Sequence, residues 1–318
     1  WIAAAAVLWV PGAAWVAQVV ISSVPARTAV LTAMPLATGF AAMPYGLLTW
    51  GTLYPTYLAT CILPASVGTA IIAGRTLRAT SGMRRWRAMV LSSGAIVATV
   101  CELVFAQPRV LASAVFLVAP LAASRAARDL AASWREGGVV RRRMLRSSLT
   151  GALALFGAAG AAFFSVAGLL DFWGRPLEER LGGPQAAATQ GVAEGVLQVL
   201  VLAFPTGVPG IVTVPSVLLA AAVLVGLAVA ARTTGMRGVV ASYVAFGVLY
   251  ALAAGADDIF AKLMTGLWYK DRFRLASVLP VLGVALATLG VWKICRRALR
   301  QRSRLDRRAT SVAVCAPG

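Results

Sequence analysis

The sequence predicts an all-α, polytopic transmembrane helix bundle from its composition, the length of its apolar runs and the placement of its charges. Of 318 residues, 59% are hydrophobic and 13% are charged, and the mean hydropathy is +0.80. Soluble domains carry about 25% charged residues, so this chain has too few to cover a water-exposed surface. Its apolar runs reach roughly 20 residues, the length that crosses a bilayer as a helix. The alternating pattern of a membrane β-barrel is absent.

Hydropathy, together with the charged residues that separate the apolar runs, predicts about nine crossings. They cover approximately residues 1–22, 27–44, 52–73, 88–106, 110–124, 147–170, 209–231, 238–256 and 275–292. These crossings place the helix bundle at 1–292 and a basic cytoplasmic tail at 293–318, with an end that we expect to be disordered. Residues 171–208 form an outer segment, where Gln190, Glu194 and Gln198 repeat every four residues along an expected interfacial helix.

Arginine predicts the orientation of the bundle. Of the 30 basic residues, 23 fall on one side of the predicted crossings, mostly within 75–87, 125–146 and 293–308. Such an excess marks cytoplasmic loops, so we expect a multi-pass plasma-membrane protein with a cytoplasmic C-terminus. Residue 1 then lies outside the cell. If the full protein begins inside, an odd number of crossings precedes this chain, which predicts that the chain is a C-terminal part.

Composition also excludes several function classes. The net charge of +19 lies in basic runs between apolar segments, which does not predict a nucleic-acid partner. Histidine is absent, which removes histidine-based triads, proton relays and the usual zinc sites. The four cysteines form no CxxC pair and indicate neither a disulfide framework nor a metal site. The sequence predicts membrane lipids as partners and no cofactor, although it does not exclude a bound divalent cation.

The acidic residues concentrate on the predicted outer face, which carries seven of the eleven. Asp257 and Asp258 lie where the eighth crossing leaves the membrane. A carboxylate at an apolar boundary can have a raised pKa, which suits a general base, and either residue is also a candidate cation ligand. Ordinary capping of a helix end explains the pair equally well. Glu102 is the one ionisable residue predicted within a crossing, and it is a candidate for substrate binding.

A cluster of aromatic and charged residues precedes the last crossing, in the stretch "TGLWYKDRFRLASVLPVLG" at 265–283. Arg274 offers a planar fork that can hold a phosphate, with Arg272 or Lys270 beside it. Asp271 is a candidate to orient that arginine, to bind a sugar hydroxyl or to hold a metal. Trp268 and Tyr269 suit either a substrate site or a membrane-surface anchor. Tyr54 belongs to a second aromatic stretch, which could line a cavity for a sugar or isoprenoid.

Two stretches resemble a family of large, multi-spanning actinobacterial membrane proteins of unassigned function. They are "WGTLYPTYLATCILPASV" at 50–67 and "LWYKDRFRLASVLPVLGVALATLG" at 267–290. The second is similar to a family pattern of Trp-Tyr-Asn-Asp followed by Arg, in which Lys270 replaces the Asn. The family's architecture looks like the C-type glycosyltransferases, which use polyprenyl-phosphate sugars outside the plasma membrane. Their catalytic carboxylate in the first outer loop would lie upstream of this chain.

The resemblance implies a cell-envelope glycosyltransferase, or a C-terminal part of one. Arg274, with Arg272 or Lys270, would hold the lipid phosphate, and Asp271 would orient the arginine or the sugar. Asp257 or Asp258 would assist with the acceptor or a divalent ion. A transporter or flippase for an envelope lipid and a non-catalytic membrane scaffold are the alternatives.

Overall fold

The computed structural model describes Ala3 and residues 5–51, 53–79, 83–136, 186–206 and 214–314, and these ranges contain helices and no strand. The prediction of an all-α fold is therefore confirmed. In chain order the helices are α1 (Val10–Val20), α2 (Ala26–Thr38), α3 (Tyr54–Ala79), α4 (Met83–Ala106), α5 (Pro108–Glu136), α6 (Val192–Val201), α7 (Val217–Arg232), α8 (Arg237–Gly255), α9 (Ile259–Thr265) and α10 (Arg272–Val314). Helix α2 continues through a wide turn at Ala41–Gly46 into the short helix Leu47–Thr49.

Five of the described helices are long and apolar enough to cross a membrane. They cover Tyr54–Leu77, Arg84–Ala106, Pro108–Ala132, Thr234–Gly255 and Arg272–Arg302. A sixth span arises if α2 and the segment Ala41–Thr49, which meet at an angle of 41°, count as one. These helices make the chain a membrane protein.

The long helices agree with five of the nine predicted crossings, namely the third, fourth, fifth, eighth and ninth. The first and seventh fall on shorter apolar helices, Val7–Val20 and Val217–Arg232, and the second falls on the bent pair. The sixth crossing, at 147–170, and the outer residues 171–185 lie outside the described residues. Hydropathy counts apolar residues but does not register where a helix bends or ends. Eight of the nine predicted crossings fall wholly or partly on described residues, where five or six helices are long enough to span.

Helix α10 forms the centre of the bundle. In its apolar window 89% of the residues are buried, against 17% in α4, which lies at the periphery. Helices α7, α8, α1 and α2 pack around it. Helices α7 and α10 cross closely. A Cβ added at Gly226 would lie only 1.9 Å from the Leu286 carbonyl oxygen. Small residues allow such backbone contact in membranes, where apolar side chains gain little from leaving lipid.

The polar residues gather at two opposite ends of the bundle. At one end, which we call the Asp271 end, the starts of α3, α5 and α10 meet the end of α8. At the other, the Arg128 end, the Arg128 guanidinium approaches Gly235, between α7 and α8. Helix α5 thus begins at the Asp271 end and reaches the Arg128 end near its own C-terminus. The assignment of the Arg128 end to the cytoplasm stays a prediction.

Candidate functional site

The turn that leads into α10 has an unusual backbone. After a 3₁₀ turn at Gly266–Trp268, Tyr269 and Lys270 adopt left-handed conformations, with φ of 58° and 54°. Each such residue costs about 1–3 kcal/mol when it is not glycine, so surrounding contacts must hold the turn. Asparagine tolerates this conformation better than most residues. The Asn of the resembled pattern therefore suits position 270, and Lys270 needs another source of stability.

The Lys270 side chain supplies that stability. It is fully buried, and its ammonium pairs with the Asp257 carboxylate and donates to the Ala186 carbonyl at 2.9 Å. Asp257, whose side chain is 56% exposed, also accepts from the Ala188 N–H at 3.0 Å. The Lys270 hydrogen bond and, next, the Ala188 N–H lower the pKa of Asp257. Asp257 is therefore a bound, ionised carboxylate.

Residues 186–190, which we call the strap, lie across this turn. Arg272 donates to the Thr189 hydroxyl, and the Thr189 N–H donates to the Ala254 carbonyl at 3.1 Å. The Gln190 and Gln198 amides donate to each other at 2.7 and 3.0 Å. Tyr250 donates to the same Gln198 at 2.5 Å. Of the three polar residues that repeat every four positions, Gln190 and Gln198 thus form a pair, and Glu194 is exposed. Gln190 lies before the start of α6 and not on it.

Asp271 connects the turn to two other elements. Its Oδ1 accepts from the Phe273 N–H at 2.8 Å, which caps the start of α10. Its Oδ2 accepts from the Trp50 indole at 3.0 Å and lies 3.2 Å from Nε of Arg274. Burial raises the pKa of Asp271, against the opposing effects of Phe273, Arg274 and Trp50. Asp271 thus contacts Arg274, which is compatible with one of the three roles that the sequence leaves open for it.

Two arginines flank the Tyr269 ring. The guanidinium carbons of Arg109 and Arg274 lie 3.1 and 4.7 Å from the ring centroid. Arg109 also donates to the Leu267 carbonyl at 3.4 Å. Nε and Nη1 of Arg274 are buried and find no hydrogen-bond partner of proper geometry in the described ranges. Such buried, unsatisfied donors are rare in proteins and call for an explanation.

Both arginines line one small cavity, which we call the arginine cavity. Its described lining contains two cations, three hydroxyls and an amide but no carboxylate, and consists of Thr56, Thr60, Gln107, Arg109, Val110, Ser113, Trp268, Arg274 and Val278. Gln107 donates to Thr56 at 3.1 Å, and the Trp268 indole donates to Ser113 at 2.8 Å. The described lining is therefore positively charged, and the cavity itself has room for about one water-sized group.

The remaining predicted site residues lie in different environments. Asp258 is exposed and caps α9 by accepting from the Ala261 N–H at 2.7 Å. Trp268 is buried, with its ring edge-on to Phe116 and Phe246. Tyr54 begins α3 and is 41% exposed. Glu102 is exposed on α4 and shares no hydrogen bond or ion pair with the described residues of the cluster. Their proposed roles in catalysis or binding stay predictions.

The predicted site residues do not include two residues at the centre of the site, Arg109 and Trp50, although Trp50 belongs to the aromatic stretch around Tyr54. Arg109 follows the first residue of α5 and is one of the few basic residues on the predicted outer face, which is the signal that marks it. Trp50 lies 221 residues before Asp271, and no local pattern predicts that hydrogen bond. Conversely, Lys270 and Arg272 contact the region of the strap, so the second cation beside Arg274 is Arg109.

Comparison with known proteins yields one match. The model of a family of unknown function, DUF6541, matches residues 1–317. No curated protein and no solved structure matches the chain significantly.

Proposed function

The chain belongs to DUF6541, a family of unknown function, and we propose that its Asp271 end binds the phosphate of a polyprenyl-phosphate sugar. Binding takes place on the outer face of the plasma membrane, where the lipid enters laterally. The chain acts there as a cell-envelope glycosyltransferase of C-type architecture, or as a C-terminal part of one. The resemblance of residues 50–67 and 267–290 supports the transferase assignment.

The unsatisfied Arg274 guanidinium carries this proposal. Its Nη1 is buried without a partner in the described ranges, within a cavity that Arg109 also lines. Two guanidinium groups present planar donor forks that match phosphate oxygens, and such charge-assisted hydrogen bonds are about twice as strong as neutral ones. A phosphate with one oxygen in this cavity would satisfy Arg274 and balance the charge of Arg109. The lipid chain would then extend into the bilayer beside the bundle.

The carboxylates at this end act as positioning groups in the proposal. Asp271 holds Arg274, and Asp257 holds Lys270 at the strained turn. Its lowered pKa makes Asp257 a weak base for an acceptor hydroxyl. The proposal therefore does not assign the proton-accepting role to Asp257, and the resemblance implies that this carboxylate lies in an upstream outer loop.

Lipid binding tests the phosphate assignment. The purified protein in nanodiscs is titrated with undecaprenyl-phosphate hexoses, and each variant is first checked for an unchanged thermal midpoint. We expect Arg274→Gln and Arg109→Gln each to weaken binding by about tenfold or more, because each removes a charge-assisted contact. Lys262→Gln is the matched control, because it neutralises an exposed cation of α9 outside the cavity. Wild-type affinity in both arginine variants would refute the phosphate assignment.

Transfer is tested separately from binding. The full-length protein is incubated with a labelled polyprenyl-phosphate hexose and envelope acceptors, and hexose release from the lipid is measured. Transfer that is lost in Arg274→Gln supports the enzyme. Tight lipid binding without transfer would refute the transferase and favour a transporter, a flippase or a scaffold.

A further inference from the structure

Trp50 is an exposed tryptophan that the structure holds rigidly. Its ring stacks on Phe273 at 4.2 Å between centroids and 17° between planes. Its indole N–H donates to Asp271 Oδ2, yet 41% of the residue remains exposed. The next residue, Gly51, has a φ of +134°, which only glycine adopts without strain, so the turn into α3 contributes to the placement of the ring. Trp50 therefore offers an apolar ring surface in a fixed orientation.

This arrangement differs from that of an interfacial anchor. Tryptophans in the aromatic belt keep the indole N–H at the polar boundary, where water and headgroups satisfy it. The Trp50 N–H instead points inward, to a buried carboxylate. The exposed part of the ring is thus left for apolar contact alone. A rigid aromatic surface beside a polar site suits the C–H face of a sugar ring, which packs on aromatic rings while its hydroxyls face outward.

The distance between Trp50 and Arg274 indicates where a sugar stacked on Trp50 would be attached to the lipid. Nε1 of Trp50 and Nε of Arg274 approach the same oxygen of Asp271, at 3.0 and 3.2 Å. The two nitrogens are therefore no farther apart than the sum of those distances, 6.2 Å. A group stacked on Trp50 lies next to a group bound by Arg274. That spacing suits a sugar bonded directly to the bound phosphate.

We infer that Trp50 is the stacking platform for the phosphate-linked sugar of the lipid substrate. The inference rests on the proposed function, because Arg274 must hold the phosphate for the sugar to reach Trp50. Trp50 then confers selectivity for lipids that carry a sugar over the bare polyprenyl phosphate. The arginines bind both lipids, because both carry the phosphate.

The experiment compares two lipid probes in the same nanodisc assay. One is undecaprenyl phosphate, and the other is the same lipid carrying glucose, mannose or galactose. Wild-type protein should prefer at least one sugar-bearing lipid. Trp50→Leu should weaken binding of that lipid about three- to tenfold more than it weakens binding of the bare lipid, the size of one aromatic stacking contact. Trp50→Phe keeps an aromatic ring and should retain most of the preference. Trp86→Leu, which removes a 69% exposed tryptophan near the start of α4, is the matched control.

The outcomes separate this inference from the proposed function. Unchanged sugar preference in Trp50→Leu, or an equal loss for both lipids, would overturn the platform. If Arg274→Gln binds both lipids as wild type does, the proposed function fails regardless of Trp50, and the platform fails with it. A wild-type protein that binds neither lipid refutes both.

A second readout does not depend on the folding of a variant. Saturation of aromatic protons in the wild-type protein should transfer to the sugar ring protons of the bound lipid. Transfer to the isoprenoid chain alone would overturn the platform.

Discussion

Lys270 combines two features that are each costly. It adopts a left-handed backbone conformation, and its ammonium is removed from water. Both features serve the same contact, because the turn aims the side chain at Asp257 and the Ala186 carbonyl. The strap is in this way attached to the turn that carries Asp271 and Arg274. The strained backbone and buried charge of Lys270 are thus stabilised by contact with Ala186, 84 residues away along the chain.

Two substitutions at position 270 separate the backbone from the side chain. Lys270→Ala and Lys270→Asn both remove the ammonium, but only Asn tolerates the left-handed conformation. We expect Lys270→Asn to be more stable than Lys270→Ala by about 1 kcal/mol, although both fall below wild type. Thermal midpoints in nanodiscs measure the order. If the alanine variant equals or exceeds the asparagine variant, backbone strain at this turn is not significant.

Asp257 makes part of the stability dependent on pH. Its folded-state pKa lies below the ordinary value of 3.8, so the unfolded chain takes up protons first as the pH falls. The contribution is present at neutral pH and is lost as the pH falls through the lowered pKa. We expect the gap in thermal midpoint between wild type and Asp257→Asn to be constant from about pH 7 to 5 and to shrink below about pH 4.

The control for that pH profile is a background that lacks the main partner of Asp257. With Lys270→Ala present, Asp257→Asn should change the midpoint less, and the dependence of the gap on pH should weaken. If the difference in thermal midpoint between wild type and Asp257→Asn has the same size at every pH, this ion pair is not the cause of the lowered pKa.

At the scale of elements, the crossing of α7 and α10 determines how closely the bundle packs. A Cβ added at Gly226 or at Gly290 would lie 1.9 Å from a carbonyl oxygen of the other helix. Backbone cannot move aside as a flexible side chain can, so the helices themselves would have to separate. Both glycines lie in apolar stretches whose composition indicates only that they enter the membrane.

Alanine substitutions test this crossing. We expect Gly226→Ala and Gly290→Ala each to destabilise the protein by about 1–3 kcal/mol, the usual cost of overpacking. Gly94→Ala in α4 is the matched control, because nothing lies within 4 Å of its added Cβ. It should leave stability unchanged or raise it by up to about 1 kcal/mol, since alanine favours helix. A similar loss in all three would indicate that helix packing is not the cause.

At the scale of the whole molecule, the bundle separates its polar groups into two ends. The Asp271 end holds the ion pairs, the strap and the arginine cavity. The Arg128 end brings the arginine-rich end of α5 close to the loop between α7 and α8. The excess of arginine in the segments near the Arg128 end predicts that it is cytoplasmic.

Cysteine labelling tests that orientation. In a chain whose four cysteines are replaced by alanine, Lys262→Cys marks the Asp271 end and Thr234→Cys marks the Arg128 end. A membrane-impermeant maleimide should label position 262 in intact cells and label position 234 only after the membrane is opened. The reverse pattern would place the arginine cavity in the cytoplasm and refute a role in chemistry outside the cell.

The sequence by itself determined the class of the protein, because a bilayer demands long apolar helices and those are visible as local runs. It also indicated Arg274 and the nearby Asp271, which lie three residues apart in the chain. Where helices bend and end is not visible in hydropathy, and among the described residues the structure has five or six helices long enough to span. Asp258 and Trp268 are local features whose capping and packing roles need neighbouring elements to be seen.

Only the tertiary structure decided how the site is assembled. Trp50, Arg109, Lys270 and Asp257 come from four parts of the chain, and their contacts depend on how the helices pack. Sequence spacing carries no record of such contacts beyond a few residues. The stretch 267–274 thus appeared as one run of charge, but the fold divides it. Lys270 and Arg272 face the strap, whereas Arg274 joins Arg109 at the cavity, because successive residues in a turn and a helix start point in different directions.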